Sequence, residues 1–138
     1  MQPWTAASPK SFPRSTTRHS KVPGKCLRGA IVDISLDPAV GHEIRKTRPC
    51  LVVQNDVGNR FSTVTIVVPV GGAEHVAKLY PIHVPIPKGE AGLVKDSVAM
   101  CNQIRCVDEA RFGKTYGHVS PATMAKVDRA LKVSLGLS

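Results

Sequence analysis

Five short β-branched runs follow one another along this chain: LRGAIVDISL (27–36), PCLVVQN (49–55), TVTIVVPV (63–70), YPIHVPI (80–86) and SVAMCNQIRCV (97–107). Clusters of Gly, Pro, Asn and Asp separate them. Branched side chains fit a pleated surface and breakers end it, so these runs read as strands. Their succession predicts an antiparallel sheet or a small barrel. Between the second and third, NDVGN at 55–59 predicts a tight turn and hence a hairpin, because Asn, Asp and Gly tolerate positive φ.

The period changes near residue 120. Ser120 supplies a hydroxyl cap, and Pro121 fits the first helical position, where its missing donor costs nothing. Met124, Val127, Leu131 and Leu135 then recur at helical spacing and form a stripe expected to dock on the sheet, with Gly136 closing the helix. The fold class is therefore mainly β with a C-terminal α-helix. With 138 residues the chain fits a single domain, and no internal repeat is visible.

Residues 1–25, MQPWTAASPKSFPRSTTRHSKVPGK, are rich in Pro, Ser, Thr and cations and lack apolar periodicity, the composition of a disordered basic arm ahead of a folded domain at 26–138. That arm is either an electrostatic tail for RNA, with Trp4 able to stack on a base, or a passive extension. The formal net charge of +9 favours a polyanionic partner over an acidic small substrate. Residues 1–28 carry much of it, so the body alone is only mildly basic. No apolar run approaches the ~18 residues that a membrane span needs, which predicts a soluble protein without membrane association. Cys26, Cys50, Cys101 and Cys106 show no C-x-x-C spacing and are too scattered for a disulfide framework, which favours a reducing cytoplasm and no metal site. Cys50 and Cys101, inside apolar runs, read as small core hydrophobes.

The stretch GHEIRKTRPCLVVQND (41–56) sets a His, an acid, three cations and a proline at the mouth of a strand, far more charge than a turn requires. Together with RGAIVDISLDPAV before it, IVVPV, DSVAMCNQIRCVDEARF and the terminal VDRALKVSLGL, it resembles the MazF/PemK family of toxins. The match preserves order over residues 28–137. The resemblance implies a small twisted antiparallel barrel of the CcdB/MazF type, related to Src-homology-3-like barrels and usually a homodimer. It also implies a sequence-specific endoribonuclease, or mRNA interferase, that cuts single-stranded RNA without a metal or other cofactor. A cognate antitoxin would neutralise it by laying a flexible acidic segment across the RNA groove.

Cutting RNA without a metal requires activation of the 2′-hydroxyl, stabilisation of charge on phosphorus and protonation of the leaving 5′-oxygen, giving a 2′,3′-cyclic phosphate. Arg48 offers a planar fork of donors matched to two phosphate oxygens and is the expected transition-state stabiliser. Pro49 biases it to an extended backbone. His42 exchanges protons near neutrality and matches the GHE histidine that the PemK branch uses in catalysis. Glu43 matches the family glutamate and either orients His42 or Arg48 or forms a loop ion pair. Arg45 and Lys46 stand where many relatives carry Gln and Gly; they either strengthen phosphate attraction or sit on a solvated face.

Two departures from the family stand out. After IVVPV the usual threonine is replaced by Gly71, followed by Gly72, so backbone amides would have to supply the missing donor. Around the last core strand the PemK branch places an Arg and an Asp where this chain has Met100 and Asn102. Asn102 and Gln103 are expected to read base edges or a 2′-hydroxyl. Arg105 and Asp108 suggest a mutual ion pair, and Asn59, Arg60 and Lys78 are candidate RNA contacts flanking the groove. Two other functions fit the architecture: a catalytically weakened RNA- or antitoxin-binding module, and a topoisomerase poison of the CcdB kind. The second would not need the HEIRKTRP loop.

Overall fold

The computed structural model describes residues 27–137; the arm at 1–25 lies outside them. Among the described residues seven strands and two α-helices follow in order: β1 Ala30–Ser35, β2 Thr47–Val52, α1 Asp56–Phe61, β3 Val64–Gly72, β4 His83–Ile86, β5 Ser97–Met100, β6 Arg105–Asp108, β7 Phe112–His118 and α2 Pro121–Leu135. All pairings are antiparallel. The sheet runs β4-β5-β3-β2-β1-β7, with β6 also joined to β3. The mainly β fold with a C-terminal helix is as expected, although the ladder ends at β4 and β7 rather than closing on itself.

Residues 30–32 of β1, 50–52 of β2 and 67–70 of β3 are buried on both faces, which is why these stretches are continuous apolar runs instead of alternating ones. Ile31, Leu51, Val53 and Val68 point to one cluster, which α2 covers through Val127 and Ala130. Val32, Ile34, Cys50, Val52 and Val67 point to a second cluster, which Val107, Ile44 and Phe112 cover. Complete burial of a valine such as Val127 contributes roughly 2 kcal/mol, so the helix is held mainly by this face.

Three sequence expectations need correction. NDVGN is not a tight turn. Asn55 caps α1 by accepting a hydrogen bond from the Gly58 N–H at 2.8 Å, so β2 and β3 do pair, but through a short helix. The run 97–107 is not one strand. Val70 faces Ala99 while Val67 faces Arg105, so the chain from Cys101 to Ile104 bulges out of the ladder between β5 and β6. Finally, Leu135 is exposed, and the buried face of α2 is Thr123, Val127 and Ala130 with Met124 and Leu131 at its margin.

The cap of α2 is as expected: the Thr123 N–H donates to Ser120 Oγ at 3.2 Å, and Gly136 closes the helix at φ 72°. Glu90 adds an anchor. Its Oε2 accepts from the Ser120 N–H at 3.0 Å and the Thr123 hydroxyl at 2.6 Å. These bonds hold its carboxyl below the usual carboxylate range, the Thr123 hydroxyl contributing most. Cys50 and Cys101 are core residues, and burial pushes their thiols up to about 12 and about 11. Cys106 is exposed. No helix is long and apolar enough to cross a membrane.

Candidate active site

The charged loop joins β1 to β2, and its base is closed by a hydrogen bond from the Leu36 N–H to the Lys46 carbonyl at 2.9 Å. Two arginines from the far end of the chain grip the outgoing strand. Arg105 Nη1 donates to the Leu36 carbonyl at 2.8 Å, and Arg111 Nη1 donates to those of Ser35 at 3.0 Å and Asp37 at 2.7 Å. Arg105 therefore fastens the loop root instead of pairing with Asp108, whose carboxylate accepts from the Ala110 N–H.

Inside the loop Ile44 packs against the second core cluster, to which Leu36 at the loop's start also belongs. Its N–H donates to Gln103 Oε1 at 2.9 Å, which ties the loop to the β5–β6 bulge. Gln103 is thus a positioning residue through its carbonyl oxygen. Glu43 bridges neither His42 nor Arg48; its Oε1 accepts from the Val40 N–H at 2.7 Å and stiffens the loop. Lys46 donates its N–H to Asp37 Oδ1 and holds φ at 70°, a left-handed backbone that suits glycine.

Loop and bulge enclose an open cleft of about 540 Å³ lined by His42, Glu43, Asn102, Gln103, Ile104 and Arg105. His42 and Asn102 are exposed there. Arg48 lies at the start of β2, where it faces Ile34 of β1. Its Nε donates to the Arg45 carbonyl at 3.2 Å, which orients the guanidinium; among the described residues its Nη groups have no hydrogen bond. The β2–β3 ladder ends at the Cys50–Pro69 pair, short of Arg48 on one strand and of Gly71 on the other, and Gly71 pairs instead with Val98 of β5. Of the catalytic candidates His42 and Glu43 line the cleft, while Arg48 and Gly71 are not among its lining residues.

The other candidates lie elsewhere. Asn59 is buried in a closed polar network. Its Oδ1 accepts from Thr65 Oγ1 at 2.7 Å and Gln54 Nε2 at 3.1 Å, while its Nδ2 donates to the Gln54 carbonyl and to Asp56 Oδ1. No group on it is left for RNA. Arg60 is exposed on α1, which follows the end of β2 opposite to Arg48. Lys78 sits over the Tyr80 ring, 5.4 Å from its centre. No group of three or more His, Cys, Asp or Glu suited to a metal ion occurs among the described residues.

The profile of the PemK-like, MazF-like toxins of type II toxin–antitoxin systems matches residues 27–135. The chain belongs to this family. Endoribonuclease EndoA of Bacillus subtilis is 43% identical over 110 residues, covering 80% of this chain and 94% of the relative. Among solved structures, MazF from Deinococcus radiodurans superposes with a TM-score of 0.69 at 26% identity, covering 80% of this chain and 96% of that one. A mycobacterial endoribonuclease in complex with its cognate antitoxin superposes with a TM-score of 0.67 at 24% identity, covering 81% and 96%.

In this PemK-like chain the residues that sequence reasoning missed are supports. Arg111 carried no signal at all, because its partners are backbone carbonyls that no motif records. Gln103 looked like an RNA reader, yet its side-chain oxygen is occupied by Ile44.

Proposed function

We propose that this toxin-family protein is an endoribonuclease that cuts single-stranded RNA at a short sequence motif by attack of the 2′-hydroxyl, without a metal ion. The observation that carries the reading is the union of loop and bulge through Ile44 and Gln103, with His42 and Asn102 lining one cleft and Arg48 on the same loop's outgoing strand. The Arg48 fork neutralises the non-bridging oxygens as the 2′-oxygen bonds to phosphorus and the 5′-oxygen leaves. Neutral His42 accepts the 2′-hydroxyl proton, or its imidazolium gives one to the departing oxygen. Glu43 keeps the loop in shape, Lys46 draws the phosphate chain in, and the amides at Gly71 and Gly72 stand in for the family threonine. Asn102 reads a base edge.

The family's place in type II toxin–antitoxin systems supports a cognate antitoxin with an acidic segment as partner, and a homodimer as the working form in the cytoplasm. A second reading, a weakened RNA- or antitoxin-binding module, draws on the missing hydroxyl at Gly71. Incubating labelled RNA with purified protein in EDTA separates the two. Arg48-dependent products ending in a 2′,3′-cyclic phosphate are expected, with Arg48→Ala slower by ~10²-fold or more. Cleavage retained by Arg48→Ala removes the proposed site, and no cleavage by the wild type with antitoxin peptide still bound supports the module.

A further inference from the structure

At the end of β3 an anion already occupies the surface next to Gly71. The Glu74 carboxylate lies directly on Gly72: a β-carbon at position 72 would fall 2.5 Å from Oε1 and 2.8 Å from both Cδ and Oε2. A side chain at position 72 would displace the carboxylate, whereas glycine admits it. Two cationic or protonatable groups hold the carboxylate there, Lys95 Nζ at 2.8 Å and His75 Nε2 at 3.3 Å from the same Oε2. The Ala73 N–H bond to the Asp96 carbonyl at 3.0 Å extends the β3–β5 ladder past the Gly72–Ser97 pair, which brings Glu74 and Lys95 side by side.

All three side chains are more than half exposed, so this arrangement adds little to stability. Its chemistry suits an anion site: an open glycine backbone, an ammonium and an imidazole. We propose that Lys95 and His75 form a binding subsite for an RNA phosphate beside Gly71, and that Glu74 is a built-in competitor which the phosphate displaces from Gly72. The inference rests on the endoribonuclease reading and adds to it a contact outside the loop–bulge cleft. It gives this end of β3 a cation that compensates for the absent threonine. The lowered pKa of Glu74, caused first by the Lys95 hydrogen bond, keeps the competitor charged at neutral pH.

Fluorescence anisotropy with a 2′-O-methyl RNA oligonucleotide, which binds but cannot undergo 2′-hydroxyl attack, tests the subsite. Glu74→Gln is expected to tighten binding several-fold, more than Glu109→Gln, which removes an equal charge beyond the far end of β3. Lys95→Gln should weaken binding, lower the slope of log affinity against log salt by about 0.7, and cancel the gain from Glu74→Gln when the two are combined. With all-ribose RNA, Lys95→Gln should raise KM and leave kcat nearly unchanged. Equal effects of Glu74→Gln and Glu109→Gln, or a gain that survives Lys95→Gln, overturn the proposal. Arg48-dependent cleavage persisting beside such a result would leave the endoribonuclease reading intact and remove only the subsite.

Discussion

Met100 stands in the space that a side chain on residue 71 would enter: a β-carbon at Gly71 would meet the Met100 Cε methyl at 3.1 Å. Gly71 pairs with Val98, so Met100 is its diagonal neighbour on the same face of the β3–β5 ladder. The two departures from the family pattern are therefore spatially linked. A thioether end is flexible and can yield by a few tenths of an ångström, but a threonine and the methionine would compete for the same room.

Restoring the hydroxyl therefore calls for both positions. Gly71→Thr with Met100→Ala is expected to cleave RNA faster than Met100→Ala alone, by up to ~10²-fold, whereas Gly71→Thr alone gains less. Single-turnover rates on a defined RNA measure this. Equal rates with and without the threonine in both backgrounds would show that the backbone amides already supply the donor.

Lys46 adopts φ 70°, where any β-carbon is crowded. Lys46→Gly should accordingly be more stable than Lys46→Ala by about 1 kcal/mol, the reverse of the usual order in regular structure. Urea midpoints of the two variants decide it. Both should bind RNA more weakly at low salt than the wild type if the ammonium attracts phosphate.

Asn59→Ala should cost about 2–3 kcal/mol, because it strands the buried Gln54 amide and Thr65 hydroxyl that its oxygen now accepts from. The folded variant should keep wild-type affinity for RNA. Thermal melts paired with RNA titrations at low temperature give both numbers. A stable variant with weak RNA binding would reverse the assignment of Asn59 to the core.

Glu90 makes α2 sensitive to acid. Its carboxyl is held below its ordinary value of 4.5, so the charged form is favoured by folding. That contribution is complete above pH 4.5 and fades as pH falls through the lower folded-state value. Glu90→Gln should destabilise by roughly 1 kcal/mol at pH 7, a figure kept small by solvent exposure, and the gap should close in acid. Urea denaturation across pH 3–7 follows it; a gap independent of pH would show that the amide fails for another reason.

Much of this architecture was legible in the chain. Ser120, Pro121 and Gly136 marked the last helix because caps act locally, and the branched runs marked β1 to β3 because double-sided burial demands continuous apolar sequence. Position β7 was missed: FGKTYGH has few branched residues and is a strand because β1 offers it an edge to pair with. Of the candidate site, His42, Glu43 and Arg48 stood out through the family resemblance together with the density of charge in one loop. The roles of Gln103, Arg105 and Arg111 were not, since each bonds to backbone groups distant in sequence, and those contacts follow from the sheet order alone.

The grip of Arg105 and Arg111 on the carbonyls of residues 35–37 has a temporal side. Synthesis delivers the His42–Arg48 segment well before either clasp, so a partly translated chain carries the candidate side chains without the fastening at their loop root. Closure of the loop root therefore waits for the final third of the polypeptide, and a chain truncated before Arg105 would lack both clasps together with β6, β7 and α2.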